Sequence, residues 1–339
     1  MKKRKFLKHL LFFPFCFLRI GFSNTYAGVY RYTKKNAFEK INVMYDPLSL
    51  KFHLSPNHPE DPRRIKFILQ ELKKIGYESY LQIPQKKIDV LSAIGLVHTN
   101  EHITAIKKSY PLGFQVATAA VKSSIEALIK VCSGENRNIF CAVRPPGHHA
   151  LNTGKEEGFC FFNNIAIVAR YAQKVFSMKK ILIVDWDYHH GNSTESFFYH
   201  DPNILFFSTH DQYAYPLTGN PNRIGSGEGK GFNINIHLPC GSGDKEIIEI
   251  FKNRLIPAVE KFEPQLILIS AGFDSRIDDP LGCFEISDNG FKKLTMLVMD
   301  LAKKHTDHKI VSLLEGGYNL EGNAKAAITH IQTLVNYNP

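Results

Sequence analysis

The sequence predicts an α/β domain with a mostly parallel central sheet flanked by helices on both faces, on three observations. From about residue 41, short continuous Val/Ile/Leu/Phe runs alternate with longer amphipathic ones, as strands buried on both faces alternate with the helices that cover them. No repeat or low-complexity linker interrupts the alternation, so one domain is expected over residues 41–339. Four of the apolar runs lead directly into polar, chemistry-bearing clusters, and a parallel sheet binds its ligands beyond the carboxyl ends of its strands.

Taken in order, strands are expected over Ile41 to Tyr45, Ile139 to Val143, Ile181 to Asp185, Asn203 to Ser208, Phe232 to Leu238, Leu266 to Ala271 and Lys309 to Leu314. Each is a run of four or more mainly apolar residues with too short a span for a helix. Helical periodicity predicts helices over Arg63 to Ile75, Val116 to Val131, Asn164 to Phe176, Lys245 to Phe262, Gly290 to His305 and Asn323 to Asn336. Asp288 stands where the fifth helix needs a cap, and Pro257, which has no N–H to give, should kink the fourth.

With 44% hydrophobic and 22% charged residues, the 339-residue chain can bury a sizeable core. Its net charge of +10 is concentrated at one end: residues 1–40 hold ten Lys/Arg against the single acid Glu39, and the rest is close to neutral. The folded body therefore lacks the basic face that grips a phosphate backbone, which argues against direct nucleic-acid binding. Residues 1–40 read as a basic leader or extension. Lysines, the apolar stretch Leu10 to Leu18 and Thr25-Tyr26-Ala27 resemble an export signal, the favoured reading; Lys2-Lys3-Arg4-Lys5 also fits a nuclear address, the absence of acids before Glu39 an organellar presequence, and a cytoplasmic chain is a further alternative. The apolar stretch falls well short of the ~20 residues that span a bilayer. The cysteines Cys16, Cys132, Cys141, Cys160, Cys240 and Cys283 show no CxxC spacing and are expected to be free thiols.

The chemistry lies at the strand ends. Asp187 and His189 are two apart on an extended segment and point the same way; Asp274, after a different strand, supplies a third donor. One nitrogen and two oxygens with a position left for water is the donor set of a catalytic zinc, unlike the closed four-ligand structural site. The tandem His148-His149, on a loop stiffened by Pro145, Pro146 and Gly147, can serve as base and acid near neutral pH, with Asp185 and Asn192 orienting the rings. Tyr318, after Gly316 and Gly317, is a phenolic donor for a developing oxyanion.

The runs RPPGHHA at 144–150, GFCFFNN at 158–164, DWDYHHGN at 185–192, SAGFDSRIDDPLG at 270–282 and LLEGGYNL at 313–320, with HPEDPRR at 58–64 and INIHLPCGSGD at 234–244, resemble the histone deacetylase superfamily. That group includes bacterial histone-deacetylase-like amidohydrolases and acetylpolyamine amidohydrolases. The resemblance implies the arginase/deacetylase fold and hydrolysis of an acetyl group from a lysine side chain of protein, histone tails included, or from an acetylated polyamine. By position it puts the zinc on Asp187, His189 and Asp274, the base and acid on His148 and His149, and the carbonyl-polarising phenol on Tyr318. It also implies a structural potassium held by Asp185, Asp187, His189, Ser208 and Thr209, and an acyl-lysine tunnel walled by Phe159 and Tyr215 with the carbonyl of Gly158 on the substrate amide. Asn192 follows the class II pattern, while Ser193 stands where the family has Gly. Tyr215 replaces a more common Phe, and the segment after Val97-His98-Thr99 is shorter than in typical eukaryotic members. A non-catalytic acyl-lysine reader on the same fold would show a decayed triad or a missing phenol, and neither is seen.

Overall fold

The computed structural model describes residues 42–337; the leader reading and Ile41 lie outside the described residues. Eight strands form one sheet: β1 (Asn42–Met44), β2 (Leu81–Gln82), β3 (Asn138–Cys141), β4 (Ile181–Asp185), β5 (Ile204–His210), β6 (Asn233–His237), β7 (Leu266–Ala271) and β8 (Ile310–Leu314). Their order is β2-β1-β3-β8-β7-β4-β5-β6, and every pairing is parallel.

The period of two along each strand divides the interior into two cores. Leu182, Val184, Leu205, Phe207, Ile267 and Ile269 face one side, where α1 (Arg63–Lys74), α7 (Asp244–Ile250), α8 (Ile256–Phe262), α9 (Asp288–His305) and α10 (Leu320–Asn336) cover them. Ile181, Ile183, Ile204, Phe206, Leu266 and Leu268 face the other, beneath α4 (Pro111–Cys132) and α5 (Asn164–Phe176). A third cluster packs α2 (Val90–Ile94) and α3 (Asn100–Ser109) against α4. Among the described residues no helix is long and apolar enough to cross a membrane.

Several expectations are corrected. The helix expected from Val116 starts at Pro111, where a proline at the first helical position loses no bond the helix would have made. The helix expected over 245–262 is interrupted by a π turn, Phe251–Leu255, just before Pro257; the wider turn absorbs the missing donor. The cap of α9 is Ser287, whose hydroxyl accepts from Gly290 N, while Asp288 is already helical and pairs with Arg276. Cys240 and Cys283 are joined as a disulfide with Cα atoms 5.2 Å apart, against the expectation of free thiols, while Cys141 and Cys160 are free and buried. The pair comes from loops brought together by strand order, which their separation of 43 residues does not reveal.

Candidate active site

Three strand ends build the centre. Beyond β4, Asp185 Oδ1 accepts from Asp187 N at 3.1 Å and Asp187 Oδ1 from His189 N at 2.9 Å, short side-chain-to-backbone bonds that set the turn. From the end of β7, Asp274 Oδ1 accepts from Tyr188 N at 2.8 Å; from the end of β8, Gly316 N donates to Asp187 Oδ2 at 2.8 Å. The outcome is His189 Nδ1 lying 3.3 Å from Asp187 Oδ1 and 3.1 Å from Asp274 Oδ2. One ligand atom from each of these three residues lies within 4.8 Å of the others. The approach is so close that a Cβ on Gly272 would stand 2.0 Å from Asp187 Oδ2, and one on Gly316 2.0 Å from Asp274 Oδ2.

The electrostatics fit a cation. Burial lowers the His189 imidazole, but the bonds to Asp187 and Asp274 outweigh it and raise the group to about 10. Burial, with Asp187 beside it, raises Asp274 to about 7. Two buried carboxylates thus compete for positive charge at one point, where a divalent ion would satisfy both; one nitrogen and two oxygens suit zinc.

Beside the triad, the rings of His148 and His149 are 4.1 Å apart. Their partners differ. His148 Nδ1 lies 3.0 Å from Asp185 Oδ2 and its Nε2 3.7 Å from Asp187 Oδ1, so both nitrogens face carboxylates. Burial lowers this imidazole, but Asp187 and Asp185 together raise it well above its ordinary value. His149 Nδ1 lies 2.7 Å from the amide oxygen Oδ1 of Asn192, which fixes the proton on Nδ1 and leaves the lone pair on Nε2. Burial, then the neighbouring His148 and His189, push His149 well below its ordinary value. Asn192 opens the short helix α6 (Asn192–Phe198).

The aromatic residues stand around this pair. The Tyr215 ring meets the His149 ring edge-on at 5.0 Å, and Phe159 meets Tyr318 edge-on at 5.7 Å. Gly158 has φ +53° and Phe159 φ +71°; a Cβ on Gly158 would lie 2.3 Å from His149 Cδ2, so only glycine lets the backbone run this close. Burial raises the Tyr318 phenol well above its ordinary value, which keeps it a donor. Arg64 Cζ lies over the Tyr318 ring at 4.9 Å. On the neighbouring strand, Ser208 pairs in register with Asp185, and Thr209 Oγ1 is buried with no hydrogen-bond partner.

Two supporting residues escaped the sequence reading. Asp279 Oδ2 accepts from Tyr318 N at 2.7 Å and from Asn319 N at 3.1 Å, and Arg64 Nε donates to Gly317 O at 2.6 Å. Both lie inside quoted runs, SAGFDSRIDDPLG and HPEDPRR, but acquire their roles only through contacts far along the chain. The signal available was a charged residue next to an apolar or glycine-rich run.

Comparisons with known proteins identify the family. A model of the histone deacetylase domain matches residues 58–334. The chain is 37% identical over 299 residues to a probable deacetylase of Archaeoglobus fulgidus, covering 83% of this chain and 82% of that protein. It is 34% identical to histone deacetylase clr3 of Schizosaccharomyces pombe over 89% of this chain, but spans only 49% of that longer relative. The crystal structure of the HDA15 HD domain superposes with a TM-score of 0.81 at 33% identity, covering 88% of this chain and 89% of that one. With the matched domain spanning every strand end described above, the chain belongs to the histone deacetylase family of hydrolases and has its arginase/deacetylase fold.

Proposed function

We propose that the protein is a zinc-dependent deacetylase that hydrolyses N-acetyl-lysine in proteins, histone tails included. The observation that carries this reading is the convergence of Asp187, His189 and Asp274 on one point beside two imidazoles with unlike partners. A bound zinc supplies Lewis acidity towards an amide carbonyl and makes water a nucleophile at neutral pH. His149, whose lone pair is on Nε2, takes the proton of the attacking water. His148, cationic between Asp185 and Asp187, stabilises the negative charge that develops and supports return of a proton to the leaving amine. Tyr318 donates its hydroxyl hydrogen to the carbonyl oxygen as that charge forms. Phe159 and Tyr215 would flank the lysine methylenes and exclude water from them. A potassium ion held by Asp185, Asp187, His189, Ser208 and Thr209 would account for the orphaned Thr209 hydroxyl.

A second reading, an acetylpolyamine amidohydrolase, rests on the short rim: Thr99 is at once the cap of α3, leaving little chain there to hold a peptide backbone. Turnover of acetyl-lysine peptides against acetylated putrescine and spermidine, with zinc supplied, separates the two. Peptide turnover should dominate, and Tyr318→Phe should lower kcat by roughly 100-fold, the loss typical of one oxyanion donor. Dominant polyamine turnover would transfer the assignment to the second reading, and an unchanged Tyr318→Phe rate would remove the phenol from the mechanism.

A further inference from the structure

Glu315 is a fully buried carboxylate at the end of β8. It lies close enough to Asp185 and Asp187 for them to disfavour its charge, and together with burial, the larger cause, they raise it to about 7. A carboxylate in so costly a place needs compensating bonds. Glu315 has three. Its Oε2 accepts from Gly147 N at 2.6 Å and from His148 N at 3.2 Å, and its Oε1 accepts from Ser270 Oγ at 3.1 Å. Its backbone N–H donates to Ala271 O at 3.2 Å, and its carbonyl accepts from Arg64 Nη2.

We propose that Glu315 is a positioning residue for the base and acid: it holds the backbone that carries His148 and His149 against the strand ends that carry Asp274 and Tyr318. The inference rests on the deacetylase reading above. Two successive amides aimed at one oxygen fix both the height and the tilt of the loop. Gly147 is itself closely packed, since a Cβ there would lie 2.5 Å from Asn164 N. The Nδ1 contacts to Asp185 and Asn192 orient the rings, and Ser193 holds the His148 carbonyl through its N–H at 3.1 Å and its hydroxyl at 2.9 Å; the Glu315 carboxylate anchors the amide side of the same backbone. Because Gly316, Gly317 and Tyr318 follow on the same chain, one residue registers the imidazoles against the phenol. Reacting groups lose rate steeply when displaced by about an ångström.

The test compares Glu315→Ala with Glu315→Gln, which keeps the volume and one oxygen for the two amides while its NH2 faces the Ser270 hydroxyl. Active sites are counted with a tight-binding hydroxamate and zinc content is measured, so that kcat is expressed per competent site. We expect Glu315→Ala to lose 10- to 100-fold in kcat with KM within about threefold and zinc retained, and Glu315→Gln to recover to within about fivefold of the parent. If Glu315→Ala does not fold, Glu315→Met removes the acceptor at similar volume and carries the same expectation. A kcat per site equal to the parent without the acceptor, or a glutamine variant as slow as alanine, overturns the proposal. A parent enzyme inert towards every acylated amine would instead overturn the functional reading.

Discussion

At the scale of single residues the site is governed by how near the backbone comes to two carboxylates. Gly316 has the sharpest consequence. An added methyl would meet Asp274 Oδ2 at 2.0 Å and Asp187 Oδ2 at 2.7 Å, so Gly316→Ala must push oxygens of the proposed zinc site aside without altering any of its donor residues. We expect it to lower zinc affinity and deacetylation by at least ~10-fold, the scale at which supporting residues act on metal sites; competition with a chromophoric chelator measures the affinity. Zinc affinity equal to the parent would show that the loop yields freely. The difference between the two imidazoles is likewise local: an aspartate beside His148 and an amide beside His149 separate the charged ring from the one with a free lone pair.

At the scale of elements, the strands that carry the chemistry were the most legible. Ile181–Asp185 and Leu266–Ala271 are bounded in the structure as their apolar runs predict, because each is buried on both faces and is followed at once by polar residues. Helix starts were less so. Ser287 and Asp288 are both plausible caps by type, and the geometry selects Ser287, which also bonds Asp244 through its hydroxyl and amide. Ser287→Ala should therefore cost about 1–2 kcal/mol in urea unfolding. Asp288→Asn, which only weakens a partly exposed pair with Arg276, should cost under about 1 kcal/mol. The reverse order would restore Asp288 as the cap. What pattern reading could not supply were roles made by distant approach: Arg64 reaching Gly317, Asp279 reaching Tyr318, Glu315 reaching Gly147. Composition showed the charges, and only the folded topology shows what they touch.

At the scale of the whole molecule, three buried histidines make the fold sensitive to acid. His98, His210 and His330 are each pushed down to about 3, by burial first in every case. His98 Nε2 accepts from Asn163 N at 2.8 Å, a bond lost on protonation. A group whose folded value lies below its unfolded one contributes stability above the unfolded value, here about 6.5, and that stability is lost as pH falls towards the folded value. The contribution of these three should therefore decline below about pH 6.5, by up to about 1.4 kcal/mol per pH unit for each, offset in part by Asp274 and Glu315, whose carboxyls are raised to about 7 and act in the opposite sense. Urea midpoints at pH 7.5 and 5.5, compared between the parent and His330→Gln, measure this: the variant should lose less stability on acidification, and an equal loss in both would mean that the His330 ring is protonated in place.

The family, the sheet and the convergence of strand ends support the single metal position on which the proposed reaction depends. The most direct measurement is recovery of deacetylation when chelator-stripped protein is titrated with zinc. Activity should be absent at the start, rise in proportion to added zinc and level off at one equivalent per chain. Full activity in the stripped protein, or a plateau only at two equivalents, would contradict a single catalytic cation on Asp187, His189 and Asp274.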